Sequence, residues 1–162
     1  MVAPITQTIC STIAQPCPPG TSTPCDSTGA GVSTLTPQAL LNGAQTDVDF
    51  DTVDFEDPPS SADLPNEGVV AGALGTYSIS FTMNFGATGD PGATATTFVY
   101  VNGIQRLAFV HPLGAAPSTQ HVATALLLAP GDLVQLFVVQ NGALEGVLLN
   151  SATLSIFLTC VG

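Results

Sequence analysis

The longest regular pattern in the chain is GTYSISFTMNF, Gly75 to Phe85. Tyr77, Ile79, Phe81, Met83 and Phe85 alternate with serine, threonine and asparagine. That period of two predicts a strand with one buried face. TTFVYVNGIQRLAFV predicts a hairpin about Asn102-Gly103, a pair suited to a type I′ turn because both residues accept positive φ. HVATALLLAPGDLVQLFVVQNGALEGVLL predicts two more strands, with turns at Pro130-Gly131-Asp132 and Asn141-Gly142. SATLSIFLTC closes the series, with Leu154, Ile156 and Leu158 facing one way. About eight strands are expected between Val48 and Cys160, the pattern of a sandwich or barrel. Helical period is nearly absent. Its best candidate is LTPQALLNG, where Pro37 would open a turn and Asn42-Gly43 close it.

Ahead of this body the pattern changes. Pro4, Pro16, Pro18, Pro19, Pro24 and Pro37 punctuate a segment rich in serine, threonine and glycine. Such a segment favours extended and turn backbone and buries no core of its own. The expected division is an extended arm at 1–38 and one β domain at 39–162.

Composition narrows the function. The chain has 162 residues, enough for one domain with a sizeable core. Only 8% are charged, so solubility rests on hydroxyls, amides and carboxylates rather than on a mixed-charge surface. Arg106 is the one basic side chain beside twelve acids, and trypsin-like proteases have almost nothing to cut. This suits a durable exterior protein. The formal charge of −11 repels phosphate and argues against nucleic acid and anionic membranes as partners. No run approaches the roughly 18 apolar residues of a membrane span. MVAPITQTIC lacks the basic and apolar regions of a secretory leader. An outer-surface location would then follow removal of a leader or lysis of the producing cell.

Four cysteines are the first candidate chemistry. Cys10, Cys17 and Cys25 lie in the arm and Cys160 near the end of the chain. Zinc sites present closely paired cysteines, and redox motifs need C-x-x-C; neither spacing occurs. Disulfides are the expected use, within one chain or between subunits, with free thiols as the remaining alternative.

The second candidate is DVDFDTVDFED, Asp47 to Asp57, with half of the acids. Continuous strand would align Asp47, Asp49 and Asp51 on one face, and Val53 and Phe55 resume the alternation in shifted phase, so a break is expected near Thr52. Aligned carboxylates repel one another. A calcium ion held by Asp47, Asp49, Asp51, Asp54 and Glu56 would relieve this, and so would exposure as a charged edge strand that blocks unwanted pairing. The run is not an EF-hand, since Thr52 and Pro58 stand where that loop needs Gly and Glu.

His111 and His121 flank HPLGAAPSTQH without acids or cysteines spaced as a ligand set, so loop surface or strand ends are their expected places. Arg106, just past the hairpin turn, is either solvated or paired with a carboxylate across a subunit contact. No G-x-S-x-G, H-E-x-x-H or phosphate-binding loop is present, and an enzyme is not expected.

GTYSISF, FVYVNGIQ, LLLAPGDLVQLFV and the terminal ATLSIFL, in this order, resemble the jelly roll of the tumour-necrosis-factor and complement globular-head superfamily. The similarity runs from about Val69 to Cys160 and is nearest to bacterial members such as the head of the spore-surface (exosporium) glycoprotein. It implies an antiparallel two-sheet jelly roll, usually a trimer. The collagen-like stalk of that glycoprotein is missing here. A Cys-bearing arm before a small jelly roll is similar in layout to the subunits of endospore appendage fibres, without their adjacent cysteine pair.

These readings converge on a non-enzymatic structural subunit that self-assembles, as a trimer or fibre, on an extracellular, spore or virion surface. Its arm would contact neighbouring copies, and disulfides would lock them. No cofactor is required apart from the candidate calcium. The alternative is a trimeric binding head that recognises a glycan or a host protein.

Overall fold

A computed structural model describes residues 28–59, 61–144 and 146–160, the side chain of Cys160 excepted. Cys10, Cys17 and Cys25 lie outside the described residues. Twelve strands are present: β1 (Gly29–Thr34), β2 (Gln38–Leu40), β3 (Gln45–Asp47), β4 (Thr52–Asp57), β5 (Ala62–Asp63), β6 (Gly68–Val70), β7 (Gly75–Phe85), β8 (Thr94–Val101), β9 (Ile104–Pro112), β10 (Ser118–Leu128), β11 (Leu133–Asn141) and β12 (Val147–Cys160). One turn of 3-10 helix, Leu64–Asn66, is the only helix among the described residues.

The strands form two antiparallel sheets. The first runs β10-β7-β12-β1-β4, with β2 also on β12; the second runs β5-β6-β11-β8-β9, with β3 also on β11. Neighbours in each sheet are mostly distant in sequence, as in a jelly roll. The alternation read along Gly75–Phe85 is realised: Tyr77, Ile79, Phe81, Met83 and Phe85 are all buried. They meet Val99, Val134, Leu136 and Val138 from the other sheet, also buried. At roughly 25 cal/mol per Å² of apolar surface, this two-sided interior is the main stabilising contribution.

The turns follow the expected chemistry. Asn102 and Gly103 both have positive φ, at 52° and 73°, which a two-residue hairpin requires to match strand twist. Gly131 has φ 86° in the turn closed by the Asp132 N–H on the Ala129 carbonyl.

Two expectations are corrected. The arm was expected to reach residue 38, but β1 begins at Gly29 and sits between β12 and β4, with Ala30 and Val32 fully buried. Small and β-branched residues suit this central position, and composition alone does not separate them from the proline-rich segment before them. The LTPQALLNG segment holds strand β2 instead of a helical turn: Leu40 enters the core, and Gln38–Leu40 pairs with Leu149–Val147. Three residues of tertiary pairing outweigh a weak helical pattern.

Candidate functional site

The acidic segment breaks where its phase shifts. Strand β3 ends at Asp47, residues 48–51 leave the ladder, and β4 resumes at Thr52. Val48 and Phe50 turn inward and are buried, which sends their acidic neighbours out. Asp51 accepts Thr36 Oγ1 at 2.8 Å, Thr52 Oγ1 at 2.9 Å and Thr34 Oγ1 at 3.2 Å. These hydroxyls, Thr36 and Thr52 first, hold its carboxyl below the usual range. Asp54 accepts Ser33 Oγ at 2.7 Å, and Glu56 accepts the Ala62 N–H at 3.3 Å.

A different acid completes the other half. Strands β3 and β6 pair end to end along β11, Asp47 opposite Phe137 and Gly68 opposite Gln135. That junction brings Glu67, in left-handed backbone at φ 56°, to Asp47 and Asp49. Burial, a hydrogen bond donated by protonated Glu67 to Asp49, and the charges of Asp49 and Asp47 push the Glu67 carboxyl up to about 7. Asp47 is also raised, by burial and then by Asp49.

The five acids expected to bind calcium therefore divide. Asp47 and Asp49 face Glu67, Asp51 and Asp54 bond hydroxyls of the Ser33–Thr36 stretch and of Thr52, and Glu56 faces β5. Among the described residues no three His, Cys, Asp or Glu side chains come together as metal ligands. Strand β4 has the features of the charged-edge alternative: every residue from Thr52 to Asp57 is exposed, and among the described residues no strand pairs with its outer edge.

The opposite border is chemically different. Strands β9 and β10 end their respective sheets and flank a shared groove of about 610 Å³, walled by Phe109, Val110 and Val122 with both histidines. The histidines thus lie on strands rather than in a loop. His111 stacks on Phe85 at 5.6 Å and shares a 3.1 Å hydrogen bond with Ser118 Oγ, and burial lowers its pKa. His121 Nδ1 shares a 2.6 Å hydrogen bond with Thr82 Oγ1. Buried Gln120 spans the groove floor, accepting Thr97 Oγ1 at 2.6 Å and donating to the Phe109 carbonyl at 3.2 Å. It ties one sheet's last strand to the other's. Along these two strands Val110 is 69% exposed and Leu127, farther down β10, is 73% exposed, and neither strand carries an acid.

Arg106 stands on this border as the extra residue of a bulge. Val99 pairs with Leu107 and Tyr100 with Gln105, leaving Arg106 out of register. It lines a cavity of about 120 Å³ with Leu126, Leu127, Leu128 and Asp132. The Asp132 oxygens are occupied by Asn102 Nδ2 at 2.7 Å and the Ala129 N–H at 2.8 Å. No hydrogen bond or ion pair to Arg106 is found among the described residues.

One surface feature escaped sequence reasoning. Phe55 and Phe157 stack at 4.9 Å on the outer face of the first sheet, 38% and 44% exposed. They cover Gly31 and Gly29 of β1; a Cβ at Gly31 would overlap the Phe55 ring, and one at Gly29 would come within 2.8 Å of the Phe157 ring. The alternate glycines of β1 were the available signal, but only the register of three strands reveals their partners. Cys160, the last residue of β12, lies opposite Thr76.

Comparisons with known proteins agree with this architecture. No family model matches, and no curated protein matches in sequence. Among solved structures, murine APRIL is similar over 82% of this chain and 99% of its own, at 12% identity and a TM-score of 0.58. The globular domain of zebrafish complement 1qA protein is similar over 85% of this chain and 100% of its own, at 12% identity and a TM-score of 0.60. Identity at this level speaks for the fold alone. Taken with the strand order, it makes the described body an all-β jelly roll with the fold seen in murine APRIL and in the globular domain of zebrafish complement 1qA protein.

Proposed function

We propose that this chain is a non-enzymatic structural subunit that self-assembles on an extracellular, spore or virion surface, with its N-terminal segment reaching neighbouring copies and disulfides locking them. The observation that carries this reading is the β9–β10 border. Two long strands whose outer edges pair with no other strand among the described residues, with apolar rims and no carboxylate, form a surface that associates unless something covers it. The outer face of the first sheet supports the same reading. It is paved with small polar pairs, Ser80 with Ser155 at 2.8 Å and Asn84 with Ser151 at 2.8 Å. This part of the face, across β7 and β12, packs against a neighbour without stranding a charge.

Sedimentation and negative-stain imaging of the full chain test the proposal. Trimers, fibres or sheets are expected, and a monomer at all concentrations overturns it. Electrophoresis without reductant adds the cysteine test, since ladders are expected where disulfides join subunits.

The second reading is a trimeric binding head that recognises a glycan or a protein through its loops. The shared fold with murine APRIL and the complement 1qA globular domain favours it. Discrete trimers without higher assemblies would select this reading.

A further inference from the structure

Arg106 is the only cation of the chain, is exposed, and has no partner among the described residues. It occupies a bulge on the border strand β9, a device that re-aims a side chain away from the ladder. Whatever covers this apolar border must also meet the guanidinium, because burying a lone charge is costly without an opposite one. The cover must therefore offer both an apolar surface and a carboxylate.

The opposite border of the same molecule offers that combination. On the outer face of the first sheet, Phe157, Gly29 and Asp57 lie in one row across β12, β1 and β4. Phe55, two residues before Asp57 on the same face of β4, stacks on Phe157 over the intervening glycines. An exposed aromatic pair flanked by a carboxylate suits a guanidinium, which lies on ring faces and donates to oxygens in its plane.

Height along the strands also matches. The row continues through Ser78 to Ala125 on β10, so Asp57 and Ala125 are level across the sheet. Arg106 lines its cavity with Leu126, Leu127 and Leu128, the residues that follow Ala125. Donor and acceptor patches thus sit at the same end of the sandwich, on opposite borders. Rotation about an axis along the strands would bring one copy's Arg106 onto its neighbour's patch, a head-to-tail contact that closes into a ring or extends into a filament.

We propose that Arg106 of one copy seats on the Phe55–Phe157 stack and the Asp57 carboxylate of a second copy. This rests on the self-assembly reading and names a contact that drives it. The contact pairs the one arginine of the chain with a carboxylate of the neighbour, so it sets register as well as affinity.

The test is sedimentation of the full chain, wild type beside Arg106→Gln, Arg106→Asp, Phe157→Ala and Asp57→Arg, with thermal melts to confirm folding. Arg106→Gln and Phe157→Ala should each weaken self-association roughly tenfold or more, the loss expected for an anchor residue. Arg106→Asp should abolish it, and combining Arg106→Asp with Asp57→Arg should restore it. Raised salt should weaken the wild type more than Arg106→Gln. Wild-type assembly that Arg106→Gln leaves unchanged overturns the contact and spares the self-assembly reading. Folded single variants with no recovery in the charge swap overturn Asp57 as the partner. A wild type that stays monomeric overturns both readings and leaves Arg106 to an acidic partner of another kind.

Discussion

Strand β4 and the β9–β10 border are, among the described residues, edges of one sandwich with opposite surface chemistry. From Asp51 to Asp57, on and next to β4, four carboxylates stand in seven exposed residues, and like charge discourages any strand from pairing there edge to edge. Strands β9 and β10 are longer, carry no acid and leave Val110 and Leu127 in solvent. One edge is protected against pairing and the other is open to it. Yet the face beside the protected edge carries an aromatic stack, so β4 resists edge-to-edge pairing while leaving face contact possible. A chain made this way favours contact between unlike borders over contact between like ones.

The comparison assumes that both borders hang from one rigid core, and the largest effect tests that. Phe81 is buried on β7 and meets Phe109 of β9 edge to face at 5.7 Å. Phe81→Ala should lower stability by about 3–5 kcal/mol in denaturant titrations and loosen the groove with it. Loss confined to well under 1 kcal/mol would mean that the border is not anchored through the core.

The next effect sharpens the acidic side. Glu67 is raised from 4.5 to about 7, so the native state holds its proton where the unfolded chain has released it. Stability from this group is present below about pH 4.5 and is lost as pH rises through 7. Asp51 is lowered from 3.8 and acts in the opposite sense, losing its contribution as pH falls through its native value. Melting midpoints should therefore decline from mildly acid to neutral pH. Glu67→Gln should flatten that decline, and an unchanged slope in the variant would remove the Asp49–Glu67 pair as its cause. Because Glu67 is largely solvated, the expected size is modest, on the order of 1 kcal/mol.

Smaller still is the effect of marking the open edge. Leu127→Lys places a charge at a side chain already 73% exposed and should change stability by no more than about 0.5 kcal/mol. It should nonetheless reduce assembly, as read by sedimentation. Thr52→Lys at the exposed β4 edge is the control and should leave assembly unchanged. Equal effects at both edges would erase the distinction. Last, calcium followed by chelator should leave the melting midpoint where it was, because the acids of the 47–57 segment are split among separate partners.

Legibility in the sequence followed locality. The alternation from Tyr77 to Phe85, the Asn102-Gly103 turn and the break before Thr52 depend on neighbours within a few residues, and each is present as read. Strand β1 was hidden because glycine, serine and threonine carry little apolar signal, even though Ala30 and Val32 are wholly buried. Glu67 lies outside the acidic run, twenty positions from Asp47. Its perturbed carboxyl arises from β3 and β6 sharing one edge of β11. Arg106 was recognised as unusual, but its bulge depends on the pairing of β8 with β9.

By itself the sequence determined that this chain builds a β sandwich with a polar, acidic and almost cation-free surface, because period-two burial and turn chemistry act over short spans. Only the tertiary structure decided which strands became borders, which acids came together, and that two phenyl rings would lie exposed over glycines. Those outcomes depend on register between strands far apart in the chain, and a one-residue change of register would send every side chain to the other face.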